Sequence, residues 1–209
     1  FNNVETILNI KEEGDHVSGT DASAKSFVDV VMTKFDSCRY AIDKYGYGFF
    51  LDCDMIVVNP FAEKFFKLLH SEAVDMVATP HYADDFSALA HTGYYNVGMF
   101  SIRDREILEE WKLLTKHHKI LNLYYEQKPQ EFISRDLHVV SLPFNYNLGW
   151  WRFRRENVEE RLKYLRLEND SIYIGEKPAV NFHVHMLKEF KYVNNGEFLK
   201  SKILDLMAR

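Results

Sequence analysis

The chain has no apolar run approaching the ~18–20 residues that span a bilayer, which excludes a membrane-crossing helix of the usual kind. It has only two cysteines, Cys38 and Cys53, both inside apolar stretches. This fits thiols in a reducing compartment and not a disulfide scaffold. It has no basic block, and 26 Lys and Arg stand against 31 Asp and Glu for a net charge of −5. Nucleic-acid binding through phosphate neutralisation is therefore disfavoured. Internal repeats and low-complexity segments are also missing. The first residues lack a charged-then-apolar signal pattern, so a cytoplasmic location is the expectation.

What the chain does have is an ordinary globular balance: 46% hydrophobic and 27% charged residues, with 16 Phe, 12 Tyr and 3 Trp over 209 residues. The length suits one domain, residues 1–209, with a substantial core. Apolar residues Phe27, Val30, Val31, Phe35, Cys38, Ala41, Ile42 and Tyr45 recur at helical spacing, and Gly46 and Gly48 stop that helix. A strand is expected over residues 49–58, a helix over 61–70, a strand over 74–79 and a functional loop over 81–95. A strand over 96–102 comes next, then a helix capped by Asp104. A short helix over 131–136, a strand over 138–142 and an aromatic loop over 144–155 follow. A helix over 157–167, strands over 171–174 and 179–185, and a terminal helix complete the pattern. A short strand is expected over residues 1–10. Alternation of this kind argues for an α/β domain with a mostly parallel sheet.

The stretch from Phe49 to Val58 carries the chemistry. Its apolar run is interrupted by Asp52 and Asp54, which share a face if the segment is a single strand, with Cys53 pointing the other way. Two carboxylates side by side in apolar surroundings repel, and a divalent cation relieves them; the alternative is a strand end with two solvated acids. Leu51-Asp52-Cys53-Asp54 resembles the Asp-x-Asp motif of GT-A-fold glycosyltransferases, family 8 and its relatives. The resemblance implies a single GT-A-like domain with a Rossmann-like sheet flanked by helices. With about 50 residues before the motif, it also implies a reduced N-terminal nucleotide-binding portion.

The same resemblance implies a hexosyltransferase type of enzyme moving a sugar from a nucleoside-diphosphate-sugar, with UDP the expected nucleoside diphosphate, to a hydroxyl of a glycan. It places Mn²⁺, or Mg²⁺, on Asp52 and Asp54 with a late histidine, His185. His183 is a neighbouring candidate on the same strand face, and a packed histidine pair is the alternative. Lys34, Cys53, Lys188 and Lys191 fall where such enzymes contact the donor, although Lys34 reads equally well as a surface lysine. Asn96 and Gly98, in Tyr95-Asn96-Val97-Gly98, match the strand that approaches the donor sugar; a plain bulge is the other reading. For the base that takes the acceptor proton, Asp84, Asp85, Glu126 and Asp136 all remain open. The loop Asn145–Arg152, rich in amides and aromatics, suits the acceptor side. Two other functions use the same acids: a metal-dependent nucleotidyltransferase or phosphohydrolase, and an inactive nucleotide-sugar-binding module.

Overall fold

The computed structural model describes residues 21–82, 86–153, 164–169, 171–184, 201, 203–205 and 208. The strand expected over residues 1–10 and most of the terminal helix lie outside these, as do Asp84, Asp85, His185, Lys188 and Lys191.

The chain enters through helix α1 (Asp21–Tyr45), strand β1 (Gly48–Leu51) and strand β2 (Met55–Val57). Helix α2 (Glu63–His70), β3 (Met76–Pro80), α3 (Phe86–Thr92), β4 (Tyr95–Ile102), α4 (Arg105–Lys116) and α5 (Gln127–Ile133) follow. After a 3₁₀ turn at Ser134–Asp136 come β5 (Val139–Ser141) and β6 (Leu148–Gly149), then a second 3₁₀ turn at Trp150–Phe153. The last described strands are β7 (Leu165–Glu168), β8 (Ser171–Ile174), β9 (Lys177–Pro178) and β10 (Asn181–His183).

These strands form a four-stranded sheet in the order β1-β4-β3-β5 and two three-stranded sheets, β2-β10-β6 and β7-β8-β9. Only β3 with β5 and β10 with β6 pair in parallel; the other pairings are antiparallel. The expected mostly parallel sheet is therefore corrected. Strands β1, β3 and β5 do run the same way, as alternating helices and strands imply. The reversal comes from β4, inserted antiparallel between β1 and β3.

Helix α1 buries Val31, Phe35 and Cys38, and Phe35 meets Trp111 of α4 edge-on at 5.1 Å. Gly46 ends the helix in a left-handed conformation (φ 80°) that costs glycine nothing. Strands β3 and β4 are covered on both sides. Met76, Ala78, Phe100 and Ile102 face α1 and α4, while Val77 and Met99 face Phe65 and Leu69 of α2. Two-sided burial is why β4 reads as a near-continuous apolar run. A third cluster of Leu148, Ile172, Phe182 and Val184 joins the two smaller sheets.

Several local expectations are also corrected. The run 49–58 is two strands in two different sheets, because the chain turns at the acids. The loop 81–95 contains helix α3. Helix α5 begins at Gln127, four residues before the expected start, because Pro129 sits in the first turn, where a missing N–H costs nothing. Leu165–Glu168 is a strand where a helix over 157–167 was expected, and residues 157–163 of that stretch lie outside the described residues.

A three-ligand cluster at the seam between two sheets

The backbone places the two acids. Asp52 N–H donates to the Gly98 carbonyl at 2.8 Å, continuing the β1–β4 ladder by one residue. Met55 N–H then donates to the Asp52 carbonyl at 3.2 Å, closing a tight turn over Asp52–Met55. The carboxylates thus come to one side because the chain turns between them, not because alternate residues of a strand share a face. Cys53, at the turn's tip, is exposed, and burial followed by the charges of Asp54 and Asp52 raises its thiol pKa. Strand β10 pairs with β2 in a register that sets His183 opposite Met55, and Val184 N–H donates to the Asp54 carbonyl at 3.1 Å.

His183 Nε2 consequently lies 3.1 Å from Asp54 Oδ1 and 3.6 Å from Asp52 Oδ2. One ligand atom from each of the three residues falls within 4.8 Å of the others. Octahedral ligands held at ~2.1 Å from a small cation are about 3 Å apart when adjacent and about 4 Å when opposite, and the two His183–carboxylate distances fall in that range. The histidine that the structure brings to the acids is His183; His185, the expected ligand, lies outside the described residues.

Lys34 reaches the cluster from α1. Its Nζ lies 3.4 Å from Asp52 Oδ1 and 3.2 Å from Glu126 Oε1, donates to the Val97 carbonyl at 3.3 Å, and sits 4.7 Å over the Phe50 ring. Burial opposes its charge, but Glu126 and then Asp52 outweigh burial and hold its pKa above the ordinary lysine value. Among the described residues, three carboxylates face one ammonium here, a complement for a cation.

Strand β4 is shaped for this site. Its register against β3 jumps from Ala78↔Phe100 to Thr79↔Asn96, so Val97, Gly98 and Met99 bulge out of that pairing. At this bulge the Val97 carbonyl accepts from Lys34 Nζ, while the Gly98 carbonyl keeps its ladder bond to the Asp52 N–H; such irregularity is common beside functional sites. Asn96 Oδ1 accepts the Gly98 N–H at 2.9 Å and holds the bulge. A Cβ on Gly98 would lie 2.6 Å from His183 Nδ1 and closer still to Cε1, so glycine is required there.

Around this floor, Trp151 stands edge-on to both His183 (5.3 Å) and His81 (5.5 Å), and its Nε1 donates to the His81 carbonyl at 2.9 Å. Buried Arg152 donates to the carbonyls of His81, Phe144 and Asn147. Burial draws its pKa down to about 9, which leaves it charged at neutral pH. His81 lies 2.8 Å from Gln127 Oε1 and 2.9 Å from the Gly93 carbonyl, and burial lowers its pKa to about 4.

Of the acids named from sequence, Glu126 is buried against Lys34. Asp136 is exposed and precedes β5, whose Val139 pairs with Met76. Met76 in turn faces Ile102, which faces Gly48, so Asp136 stands at the end of the sheet away from the acids. Sequence reading missed His81, which has no pattern around it. It also missed Asn181, whose only signal is an amide inside an apolar strand. A buried amide needs partners, and Asn181 accepts the Asn147 N–H at 3.0 Å.

No known protein-family profile matches the chain, and no curated protein matches it. Among solved structures it is similar to a glycosyltransferase involved in the glycosylation of the major capsid of PBCV-1. The TM-score is 0.53 at 12% identity, over 83% of this chain and 77% of that one. The likeness is one of fold: a mixed α/β chain, largely antiparallel in its sheets, built like that glycosyltransferase.

Proposed function

We propose that this protein is a metal-dependent glycosyltransferase of hexosyltransferase type. It moves a sugar from a nucleoside-diphosphate-sugar, with UDP as the diphosphate, to a hydroxyl of a glycan. The observation that carries the reading is the convergence of Asp52, Asp54 and His183 from two sheets onto one point, in a fold shared with a glycosyltransferase. Asp52, Asp54 and His183 would hold the cation, Mn²⁺ in preference to Mg²⁺ because an imidazole accompanies the carboxylates. When bound, the ion neutralises charge on the departing diphosphate.

The chain's own residues do the rest. Lys34 orients Asp52 and adds fixed positive charge where the diphosphate leaves. Lys188 and Lys191 are the further diphosphate contacts of this reading, and Cys53, at the tip of the Asp52–Met55 turn, is another. The sugar–phosphate bond breaks, the acceptor oxygen bonds to the same carbon, and the hydroxyl proton passes to a base. Glu126 is engaged by Lys34, so Asp84 and Asp85, just past His81 and Tyr82 in the sequence, are the acids proposed for that proton.

Calorimetric titration with UDP, with and without Mn²⁺, tests the reading. Mn²⁺ is expected to tighten UDP binding by about tenfold or more, and Asp54→Ala to abolish that gain. UDP affinity indifferent to both changes sinks the metal–diphosphate site. Phosphate release from simple esters, without hydrolysis of a UDP-sugar, points instead to a phosphohydrolase.

A further inference from the structure

Three tyrosines gather where β3 ends and β4 begins. Tyr82 follows β3, Tyr94 precedes β4, and Tyr95, the first residue of β4, pairs with Pro80. The Tyr82 hydroxyl donates to the Leu142 carbonyl at 2.5 Å. The hydroxyls of Tyr95 and Ser141 share a hydrogen bond at 3.2 Å. Two phenols are thus moored to consecutive residues at the end of β5. The Tyr94 ring meets Tyr95 edge-on at 4.8 Å. Tyr82 has a left-handed backbone (φ 49°), which tyrosine adopts only where its surroundings hold it. Arg152 covers one face of its ring at 4.7 Å, yet Tyr82 remains 40% exposed and Tyr94 49% exposed. Partial burial raises the Tyr82 pKa; Arg152 opposes this, and the phenols of Tyr94 and Tyr95 add to it, a sign of how near the three stand.

The surface they make has flat apolar faces bordered by hydroxyls, the two features a sugar ring itself presents. The charged groups the tyrosines touch are already engaged. Arg152 is held by main-chain carbonyls, and Glu131 by Lys128 and the Tyr94 N–H. That favours an uncharged occupant. The surface is also continuous with the cluster. His81 N–H donates to the Tyr94 carbonyl at 2.9 Å, and Trp151, bonded to the His81 carbonyl, stands against His183. Lys34 reaches the cluster by way of Asp52 instead, so the charge meant for the diphosphate and the tyrosines approach through different ligands. Asp84 and Asp85, the acids proposed for the acceptor proton, lie two and three residues beyond Tyr82 in the sequence. We propose that Tyr82, Tyr94 and Tyr95 form a stacking shelf for an uncharged oligosaccharide, carrying the sugar units of the acceptor that adjoin the one receiving transfer. The shelf stands on its own geometry; its assignment to the acceptor rests on the glycosyl-transfer reading above.

The test applies wild-type protein, without Mn²⁺ or UDP, to an array of neutral oligosaccharides, followed by calorimetric titration with the one best retained. Retention is expected. Tyr94→Ala is expected to weaken that binding by about tenfold or more, as loss of an aromatic face does, and Tyr94→Phe to keep it within about twofold. Tyr82→Asn, chosen because asparagine accepts the left-handed backbone, should act as Tyr94→Ala does; if it does not fold, the Tyr94 pair decides. Both Tyr94 variants should keep the wild-type affinity for UDP in the presence of Mn²⁺. A wild type that retains no neutral oligosaccharide overturns the proposal, as does full binding by Tyr94→Ala or by a folded Tyr82→Asn. Weakened UDP binding in Tyr94→Ala assigns the ring to the nucleoside and likewise overturns it. Oligosaccharide binding that depends on Tyr94, in a protein whose UDP affinity ignores Mn²⁺, leaves the shelf standing and defeats the metal–diphosphate site.

Discussion

Gly98 contributes no side chain, and the site depends on that. The His183 ring rests against its Cα, its carbonyl takes the Asp52 N–H, and its own N–H is held by Asn96. Adding one methyl group forces the ring or the strand to move. Gly98→Ala is expected to cost about 1–3 kcal/mol of stability, as overpacking does, and to weaken Mn²⁺ binding by about tenfold or more. Urea unfolding and calorimetry read the two effects separately; wild-type Mn²⁺ affinity in this variant argues against His183 as a ligand. The sequence does mark Gly98 as a point of close approach, because glycine inside an apolar strand has few other uses. What approaches it was illegible, since the ring comes from the far end of the chain and no local pattern connects Gly98 with His183. The same holds for Lys34, whose helical position was clear while its two carboxylate partners were not.

Elements set by local chemistry were the ones legible in sequence. Asp104 accepts the Ile107 N–H at 3.0 Å at the start of α4, as its position before an apolar helical stripe implies. Asp104→Ala is expected to cost about 1 kcal/mol in thermal or urea unfolding. It should leave Mn²⁺ and UDP affinities unchanged, because Asp104 follows the end of β4 farthest from the acids. The Asp-x-Asp stretch behaved differently. Its two halves are both apolar because each is a strand in its own sheet, so hydrophobicity runs through the turn without a break. Only the acids interrupt it, and they read as features of one strand. The bulge in β4 was likewise hidden, since it is a matter of pairing and not of composition.

For the molecule as a whole, burial of His81 links folding to acidity. Its folded pKa of about 4 lies below the ordinary 6.5, so the unfolded chain takes up the proton first as pH falls. Stability is then fully present above about pH 6.5 and is lost as pH drops toward about 4. Between about pH 7 and about pH 4.5 this one residue should remove roughly 2 kcal/mol from the unfolding free energy. His81→Gln should flatten that part of the profile in urea titrations; an equal acid slope in both proteins refutes the assignment. Strand direction is also a property of the whole. The alternating pattern gave β1, β3 and β5 a common heading, but where β4 inserts is set by tertiary packing, which periodicity does not encode.

The turn at Asp52–Met55 is where the chain passes from the larger sheet to the β2-β10-β6 sheet, and His183 belongs to the second of these. On the proposed reading, an ion gripped there would rivet the two sheets to each other. Loading the ion and clamping the sheets would then be one event, and any breathing that parts them would loosen its grip.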